Sequence, residues 1–344
     1  MNLPAPELTA FVAALFVDRG MSEADARAFA DMLVWAESRG TDSHGLSRMD
    51  AYLTMIDKGH IDPRAQPELR VDLGAVFSLD AKRGAGPVSM MRALDGARTR
   101  ARAFGIGMGL VGRATHAGAI GYYAEKAARD GFAAIVLAAG PPIMAYHGAR
   151  IASASTAPVA MAVPGGPDGA ILLDMASSLV SNGRLKQARR ARETIPETWA
   201  LDADGRPTTD AEAAVIPLPM AGAKGAGLSL LIECLTSVLA AAPILSAMLG
   251  PDGKRAHVQN VMIILIDVAR FRAVSDFTAD IDTLAGVLHA LPAIDSAQPV
   301  RLPGERGAEA AARAAREGVR IPEKLWRELT GIAAARGVPV PATA

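Results

Sequence analysis

The sequence of 344 residues contains a single cysteine, Cys234, and has no excess of either charge. One cysteine cannot form an internal disulfide bond, which is typical of proteins from a reducing compartment. Lysine plus arginine number 36, as do aspartate plus glutamate, so no global field attracts nucleic acid or an anionic membrane. These absences predict a cytoplasmic protein that binds neither. Cys234 lies in an apolar run for which we predict a helix over 225–248, and we expect a buried, inert thiol there.

The sequence also lacks the common short catalytic motifs. No P-loop, GxSxG, HExxH or CxxC pattern occurs, which argues against P-loop phosphoryl transfer, serine acyl transfer and zinc chemistry. We expect no metal site. Residues 107–112 match the GxGxxG spacing of the dinucleotide fingerprint. That fingerprint requires a strand before the glycines and a helix after them, whereas here a helix precedes and the glycines lie inside a predicted strand.

Half of the residues are hydrophobic and about a fifth are charged, which is the composition of an ordinary globular protein. Apolar spacing predicts helices within residues 5–60 and again over the C-terminal residues. Between residues 73 and 164, strand-like runs alternate with helices predicted over 87–104 and 118–130. The run 258–271 is apolar on both faces, which is typical of a covered central strand. The pattern predicts an α/β (α+β) protein.

Polar residues suited to chemistry first cluster in the segment 39–48. His44 can exchange a proton near neutral pH, and Arg48 can hold a carboxylate through two parallel hydrogen bonds. Together they suit a carbonyl acid as substrate. The sequence alone allows a second interpretation equally well. In it, Ser43 and Asp42 cap the next helix and His44 lies on the surface.

Three further segments combine small residues with polar ones. At 115–123 a strand gives way to a glycine-spaced helix start, whose backbone N–H groups can receive a phosphate, and His116 stands just before it. Residues 174–178 lie at the end of a predicted strand, and Lys224 lies between glycines ahead of a helix. Small residues permit close approach of a ligand, and lysine supplies positive charge. A structural histidine and simple turns remain the alternatives.

In order and spacing, these segments resemble the malate/L-lactate dehydrogenase-like family of non-Rossmann NAD(P)-dependent oxidoreductases, which includes ureidoglycolate and sulfolactate dehydrogenases and piperideine-2-carboxylate reductases. The resemblance runs from about residue 5 to about residue 335. Its most specific pieces are TDSHGLSRMDAYL, THAGAIGYYA, LDMASS, IPETWALDADGRPTTD, AGAKGAGLSLLIE and RLPGER.

The resemblance implies a homodimer in which a mixed or largely antiparallel sheet binds NAD or NADP in place of a Rossmann domain. The absence of a Rossmann domain agrees with the position of the GxGxxG match, which lies inside a predicted strand. We predict a helical lobe formed from both termini, residues 1–72 with 305–344. Interleaved dinucleotide-binding and substrate or dimerisation subdomains would occupy 73–304.

The resemblance also implies site residues. His44 would be the acid/base, supported by Ser43, and His116 matches the proton acceptor of ureidoglycolate dehydrogenases, so two histidines compete for one role. The implied substrate-binding residues are Arg48, which would hold a carboxylate, and Thr156, Asn182, Gly183 and Arg184. The implied cofactor-binding residues are His116, Ala117, Gly118, Ala119, Ile120, Asp174, Met175, Ala176, Lys224, Pro303, Gly304, Glu305 and Arg306.

The chain departs from the family pattern near the expected substrate, at Ala157, Asn182 and Arg184. In imine-reducing relatives an aspartate at the place of Arg184 is thought to pair with the catalytic histidine, which a cationic arginine cannot do. The sequence therefore favours hydride transfer between nicotinamide and the carbon alpha to a small substrate's carboxylate. Reduction of a cyclic or N-alkyl imino acid and dinucleotide binding without turnover are the alternatives. The choice between NAD and NADP stays open.

Overall fold

The structure, a computed structural model, describes residues 1–245, 258–295 and 297–342. Its helices are α1 (Ala5–Val17), α2 (Glu23–Ser38), α3 (Met49–Asp57), α4 (Gly86–Phe104), α5 (Gly121–Arg129), α6 (Asn182–Ala191), α7 (Ala223–Glu233), α8 (Val274–His289), α9 (Glu305–Glu317) and α10 (Glu323–Ala334). Its strands are β1 (Asn2–Leu3), β2 (Glu68–Leu73), β3 (Val76–Asp80), β4 (Ile106–Ala114), β5 (Phe132–Ala139), β6 (Met144–Ala145), β7 (Ala152–Ala154), β8 (Val159–Pro164), β9 (Ala170–Met175), β10 (Ala200–Leu201), β11 (Ile216–Pro217), β12 (Gln259–Asp267) and β13 (Val319–Arg320).

The first helices pack against the C-terminal ones. Ser22 caps α2 by accepting a hydrogen bond from the Asp25 N–H at 3.2 Å, which satisfies one of the unpaired donors at a helix start. β1 pairs antiparallel with β13, and the rings of Phe11 and Trp326 lie 5.4 Å apart. The two ends of the chain therefore meet, while the boundaries assigned to a helical lobe stay a prediction.

A seven-stranded sheet forms the centre, in the order β2-β3-β4-β12-β5-β8-β9. Its neighbouring strands are antiparallel except β3 and β4, which are parallel. The expected mixed, largely antiparallel sheet is confirmed. In β12, Ile263 belongs to the core cluster beneath α4 and α5, whereas Met262 packs with Ile232 of α7 on the other face. Both faces are covered, which explains why this strand is apolar throughout.

The glycines of the GxGxxG match lie within β4, as predicted. A β-carbon at Gly107 would collide with the carbonyl of Ala97 in α4, and one at Gly109 would collide with the ring of Phe77. These glycines therefore permit close packing of α4 and β3 against the strand. They lack the phosphate-binding geometry because the strand continues past them to Ala114 and α5 begins only at Gly121.

Three local predictions need correction. The helix predicted over 118–130 begins at Gly121, because residues 115–120 form an extended turn. Cys234 is exposed rather than buried, since it follows α7 on the side that faces away from the sheet, next to the exposed Leu235. The helix predicted over 225–248 is shorter, because α7 ends at Glu233, the π-helical turn Cys234–Val238 follows it, and residues 239–245 are not helical.

Candidate active site

The segment that carries His44 and Arg48 consists of two short 3-10 turns, Asp42–His44 and Leu46–Arg48, between α2 and α3. The Glu37 carboxylate at the end of α2 accepts a hydrogen bond from the Leu46 N–H at 2.8 Å. Gly45 lies so close to Glu37 that a β-carbon there would collide with its carboxylate. Glu37 therefore fixes the segment between the histidine and the arginine.

Ser43, His44 and Arg48 are held together by hydrogen bonds. The Ser43 hydroxyl lies 3.1 Å from Nδ1 of His44, and Arg48 Nε donates to the Ser43 carbonyl at 2.8 Å. Within the described residues, the other two guanidinium nitrogens of Arg48 have no hydrogen-bond partner. The arginine is thus anchored at one nitrogen and presents the rest of its guanidinium to a ligand.

His116 joins this group from the segment just after β4, more than seventy positions along the chain. Its ring is stacked beside that of His44, with centroids 5.7 Å apart and planes inclined by 17°. The Tyr52 hydroxyl of α3 lies 2.6 Å from His116 Nδ1, and the Gly118 N–H donates to the same nitrogen at 3.2 Å. The structure brings both predicted histidines to one place.

The protein environment alters the acidity of this site. Burial and the neighbouring Arg48 charge lower the pKa of His44 to about 4, because both disfavour the imidazolium. His44 is therefore neutral near pH 7. Burial also raises the pKa of the Tyr52 hydroxyl above its ordinary range, so this hydroxyl keeps its proton.

Of the other predicted substrate residues, Gly183 lies closest to this group. A β-carbon at Gly183 would lie 2.9 Å from that of Ser43, so the start of α6, which begins at Asn182, contacts the catalytic segment. The Arg184 guanidinium pairs with Glu193 at 2.7 Å and lies over the Trp199 ring. These contacts hold the start of α6 to the following loop.

The predicted cofactor residues meet where α5 begins beside the end of β9. The Asp174 carboxylate accepts from the Gly121 N–H at 3.0 Å. The Pro303 carbonyl accepts from the Leu172 N–H at 3.3 Å, and the buried Arg39 guanidinium donates to the Gly304 carbonyl at 3.0 Å. The turn 116–120, the end of β9 and the start of α9 therefore form one continuous surface.

Asp174 itself has an unusual acidity for a carboxyl group. Solvent reaches part of the residue, but surrounding protein desolvates the carboxyl and raises its pKa to about 6, although the Gly121 N–H and the Arg39 charge oppose the shift. Near pH 7 a carboxyl group with this pKa is mainly ionised, and a carboxylate accepts hydrogen bonds. Asp174 is thus suited to contact hydroxyl groups of a ligand.

The segments of Thr156 and Lys224 are linked to the end of β9 through Ser177. Ser177, two residues beyond β9, donates through its N–H and its hydroxyl to the Thr156 carbonyl, both at 2.8 Å. Its carbonyl accepts from the Met220 N–H at 2.9 Å, which fixes the turn before α7. Lys224 is exposed in the first turn of α7, where its charge is available to an anion.

Three residues of this site were not predicted from the sequence. Tyr52 lies four residues after Arg48, a spacing that places side chains on one helical face, so its position carried a usable signal. Glu37 follows the apolar face of α2 and resembled an ordinary surface acid. Gln259, whose side-chain carbonyl accepts from the Ala117 N–H at 2.8 Å, is more than 140 positions away in sequence and gave no signal.

Glu37 should make stability depend on pH. Burial raises its pKa from 4.5 to about 7, with the Leu46 N–H lowering it and the Asp42 charge raising it. The folded state therefore favours the protonated form, and stability is lost as pH rises through this window. We expect Glu37→Gln, which can still accept from Leu46, to raise the melting temperature by a few degrees near pH 8 and to change it little near pH 5. A calorimetric melting curve at each pH measures this, and an equal change at both would contradict the assignment.

Neither a metal site nor a membrane span is evident in the described part of the chain. No cluster of three or more His, Cys, Asp or Glu residues there is arranged to hold a metal ion. Within the same residues, no helix combines the length and apolarity that crossing a bilayer requires.

Comparison with known proteins identifies the family. The model of the family described as malate/L-lactate dehydrogenase matches residues 3–330. The chain belongs to this family. A (2R)-3-sulfolactate dehydrogenase (NADP(+)) from Chromohalobacter salexigens is 34% identical over 94% of each chain. An Escherichia coli ureidoglycolate dehydrogenase (NAD(+)) is 31% identical over 90% of this chain and 89% of its own.

The fold agrees with this membership. The crystal structure of malate dehydrogenase from Entamoeba histolytica superposes with a TM-score of 0.93 at 25% identity, covering 99% of each chain. Membership of the malate/L-lactate dehydrogenase family confirms the predicted class, a nicotinamide-dependent dehydrogenase acting on CH–OH groups. It does not decide between NAD and NADP, since the two relatives are named for different ones.

Proposed function

We propose that the protein reversibly transfers a hydride between a nicotinamide cofactor and the carbon alpha to the carboxylate of a small 2-hydroxy or 2-oxo acid. The observation that carries this proposal is the pair of stacked imidazoles, His44 and His116, beside an arginine anchored at one nitrogen. Imidazoles can exchange a proton with the reacting oxygen of the substrate or donate a hydrogen bond to it. The guanidinium serves the neighbouring carboxylate.

Arg48 holds the substrate carboxylate in this proposal. Its anchored Nε leaves a fixed pair of N–H donors, the geometry that binds a carboxylate through two parallel hydrogen bonds. Holding the carboxylate also fixes the adjacent carbon relative to the imidazoles. Such positioning converts an encounter into a reaction within one complex.

Carboxylate binding should also activate His44. The Arg48 charge is one of the two causes that lower the pKa of His44. A bound carboxylate offsets that charge, so we expect the pKa of His44 to rise when substrate binds. The imidazole can then accept the proton of a 2-hydroxy acid or return it to a 2-oxo acid.

The residues present fit a dinucleotide along the surface formed by the 116–120 turn, the end of β9 and the starts of α7 and α9. A β-carbon at Gly121 would meet the Asp174 carboxylate and one at Gly304 would meet Leu172, so this surface accepts only small residues. We propose that Asp174 binds hydroxyl groups and that Lys224 binds a phosphate. The bound nicotinamide supplies or accepts the hydride.

We also propose that the protein acts as a cytoplasmic homodimer. A group of exposed apolar side chains lies along α7 and the π-helical turn after it. Its members, each 45–62% exposed, are Leu230, Leu231, Leu235, Val238 and Leu239. An apolar patch of this kind is typical of a protein interface, and pairing of identical subunits is the commonest way to cover one. The single cysteine supports a reducing compartment.

A panel of 2-oxo acids, 2-oxo diacids and cyclic imino acids tests the proposal. Loss of the absorbance of NADH or NADPH is followed with each compound, and imines formed from 2-oxo acids and methylamine are included. Turnover of 2-oxo acids without amine supports the proposal and identifies the cofactor. Turnover of imines alone would replace it with imino acid reduction. Confirmed dinucleotide binding without turnover of any compound would instead support a dinucleotide-binding protein that has lost its activity.

A further inference from the structure

The two histidines of the site have different hydrogen-bonding partners at Nδ1. His116 Nδ1 faces the Gly118 N–H at 3.2 Å and the Tyr52 hydroxyl at 2.6 Å. His44 Nδ1 faces only a hydroxyl group, that of Ser43, at 3.1 Å among the contacts of the described residues. A backbone N–H can only donate, whereas a hydroxyl can donate or accept.

These partners determine where neutral His116 carries its proton. Because the Gly118 N–H donates to Nδ1, that nitrogen must be an acceptor, and the ring proton of the neutral imidazole must lie on Nε2. Tyr52 is 2% exposed and its hydroxyl retains its proton, so this hydroxyl is a second donor to the same nitrogen. No backbone N–H of the described residues restricts His44 in this way, since Ser43 can turn its hydroxyl proton toward Nδ1 or away from it.

We propose that Tyr52 and the Gly118 amide hold His116 as the Nε2–H tautomer. His116 then donates a hydrogen bond to the reacting oxygen of the substrate, and His44 exchanges the proton. In the oxidative direction the substrate O–H bond breaks, its proton goes to His44, and its C–H hydride goes to the oxidised nicotinamide. His116 keeps its own proton throughout. Tyr52 is a positioning residue, because it acts through the imidazole.

The backbone around His116 supports the same arrangement. Gly118 has a φ of +76° and a β-carbon there would collide with Met32, so the turn that aims the Gly118 N–H at the ring accepts only glycine. The Ala117 N–H is held by Gln259. Tyr52 packs edge-on against Phe29, with ring centroids 4.8 Å apart, which fixes the hydroxyl position.

Nitrogen-15 NMR of the histidine-labelled protein without substrate tests the tautomer directly. The His116 signals are assigned by their loss in His116→Gln. We expect a protonated Nε2 and an unprotonated Nδ1 near neutral pH. A protonated Nδ1 on neutral His116 would overturn the proposal. The proposal rests on the proposed function only for the oxygen that receives the hydrogen bond. The spectrum is recorded without substrate, so it tests the tautomer even if the panel identifies a different substrate.

Tyr52→Phe tests the positioning role while keeping the aromatic packing. We expect kcat to fall by about tenfold, the effect of one hydrogen bond, with KM nearly unchanged and the pH dependence of kcat/KM retained because it belongs to His44. The His116 signals should shift. The matched control is Tyr123→Phe, which removes an equally buried hydroxyl that donates to the Ala117 carbonyl at 2.7 Å, and it should leave the His116 tautomer unchanged. Unchanged kcat and unchanged His116 signals in Tyr52→Phe would overturn its positioning role.

Discussion

Replacing His44 with alanine should lower kcat by about 10²- to 10⁴-fold, the usual contribution of a positioned acid/base. The reason is that Nδ1 of His44 faces a hydroxyl group, which can donate or accept a hydrogen bond, so His44 is the imidazole of the stacked pair that we propose to exchange the proton. KM should change much less, because Arg48 still holds the carboxylate. Steady-state kinetics on the substrate identified by the panel measure both constants.

Two further variants make the His44 result specific. His60→Ala removes an exposed histidine beyond the end of α3 and should leave kcat unchanged. His116→Gln retains an N–H donor but not an imidazole, so it should lose less activity than His44→Ala. Equal kinetics of His44→Ala and the wild-type protein would show that another group moves the proton.

Arg48→Ala should mainly weaken substrate binding. A hydrogen bond to a charged group contributes roughly 1.5 to 3 kcal/mol, so KM should rise by roughly 10- to 150-fold. A smaller fall in kcat should accompany it, because Arg48 Nε also supports the Ser43 carbonyl. Arg48→Lys should be intermediate, since an ammonium keeps the charge and loses the paired geometry.

Arg190→Ala is the matched control, because this arginine is exposed on α6 and takes no part in the proposed site. Its KM should equal that of the wild-type protein. The substrate itself offers a second check. The methyl ester of the same 2-oxo acid has no carboxylate for Arg48, so its kcat/KM should be nearly the same with Arg48 and with alanine. A large difference on the ester would assign Arg48 a role other than carboxylate binding.

Much of the fold was predictable because the periodicity is strong where burial is complete. The central strand β12 was evident from a run that is apolar on both faces, and the glycines of β4 were correctly placed inside a strand. The start of α5 was misplaced by three residues, since the turn 115–120 is shaped by distant groups such as Gln259 and Met32. Local propensity contains no information about such contacts.

The candidate site was predictable as a set of residues but not as an arrangement. His44, Arg48 and His116 were identified from their chemistry and from the family resemblance. The stacking of the histidines, the anchoring of Arg48 and the roles of Tyr52 and Glu37 depend on contacts between separate elements. The pairing of Arg184 with Glu193 and Trp199 likewise could not be inferred, because the alternative of an anion contact has the same sequence signature.

The most direct test of the central claim is to follow the hydride itself. The reaction is run in the reductive direction with nicotinamide deuterated at C4, using each of the two C4 stereoisomers in turn, and the product is analysed by mass spectrometry and NMR. We expect one stereoisomer to deliver a single deuterium to the carbon adjacent to the carboxylate of a 2-hydroxy acid. A product without deuterium from both stereoisomers, or with deuterium at any other carbon, would contradict the proposed reaction.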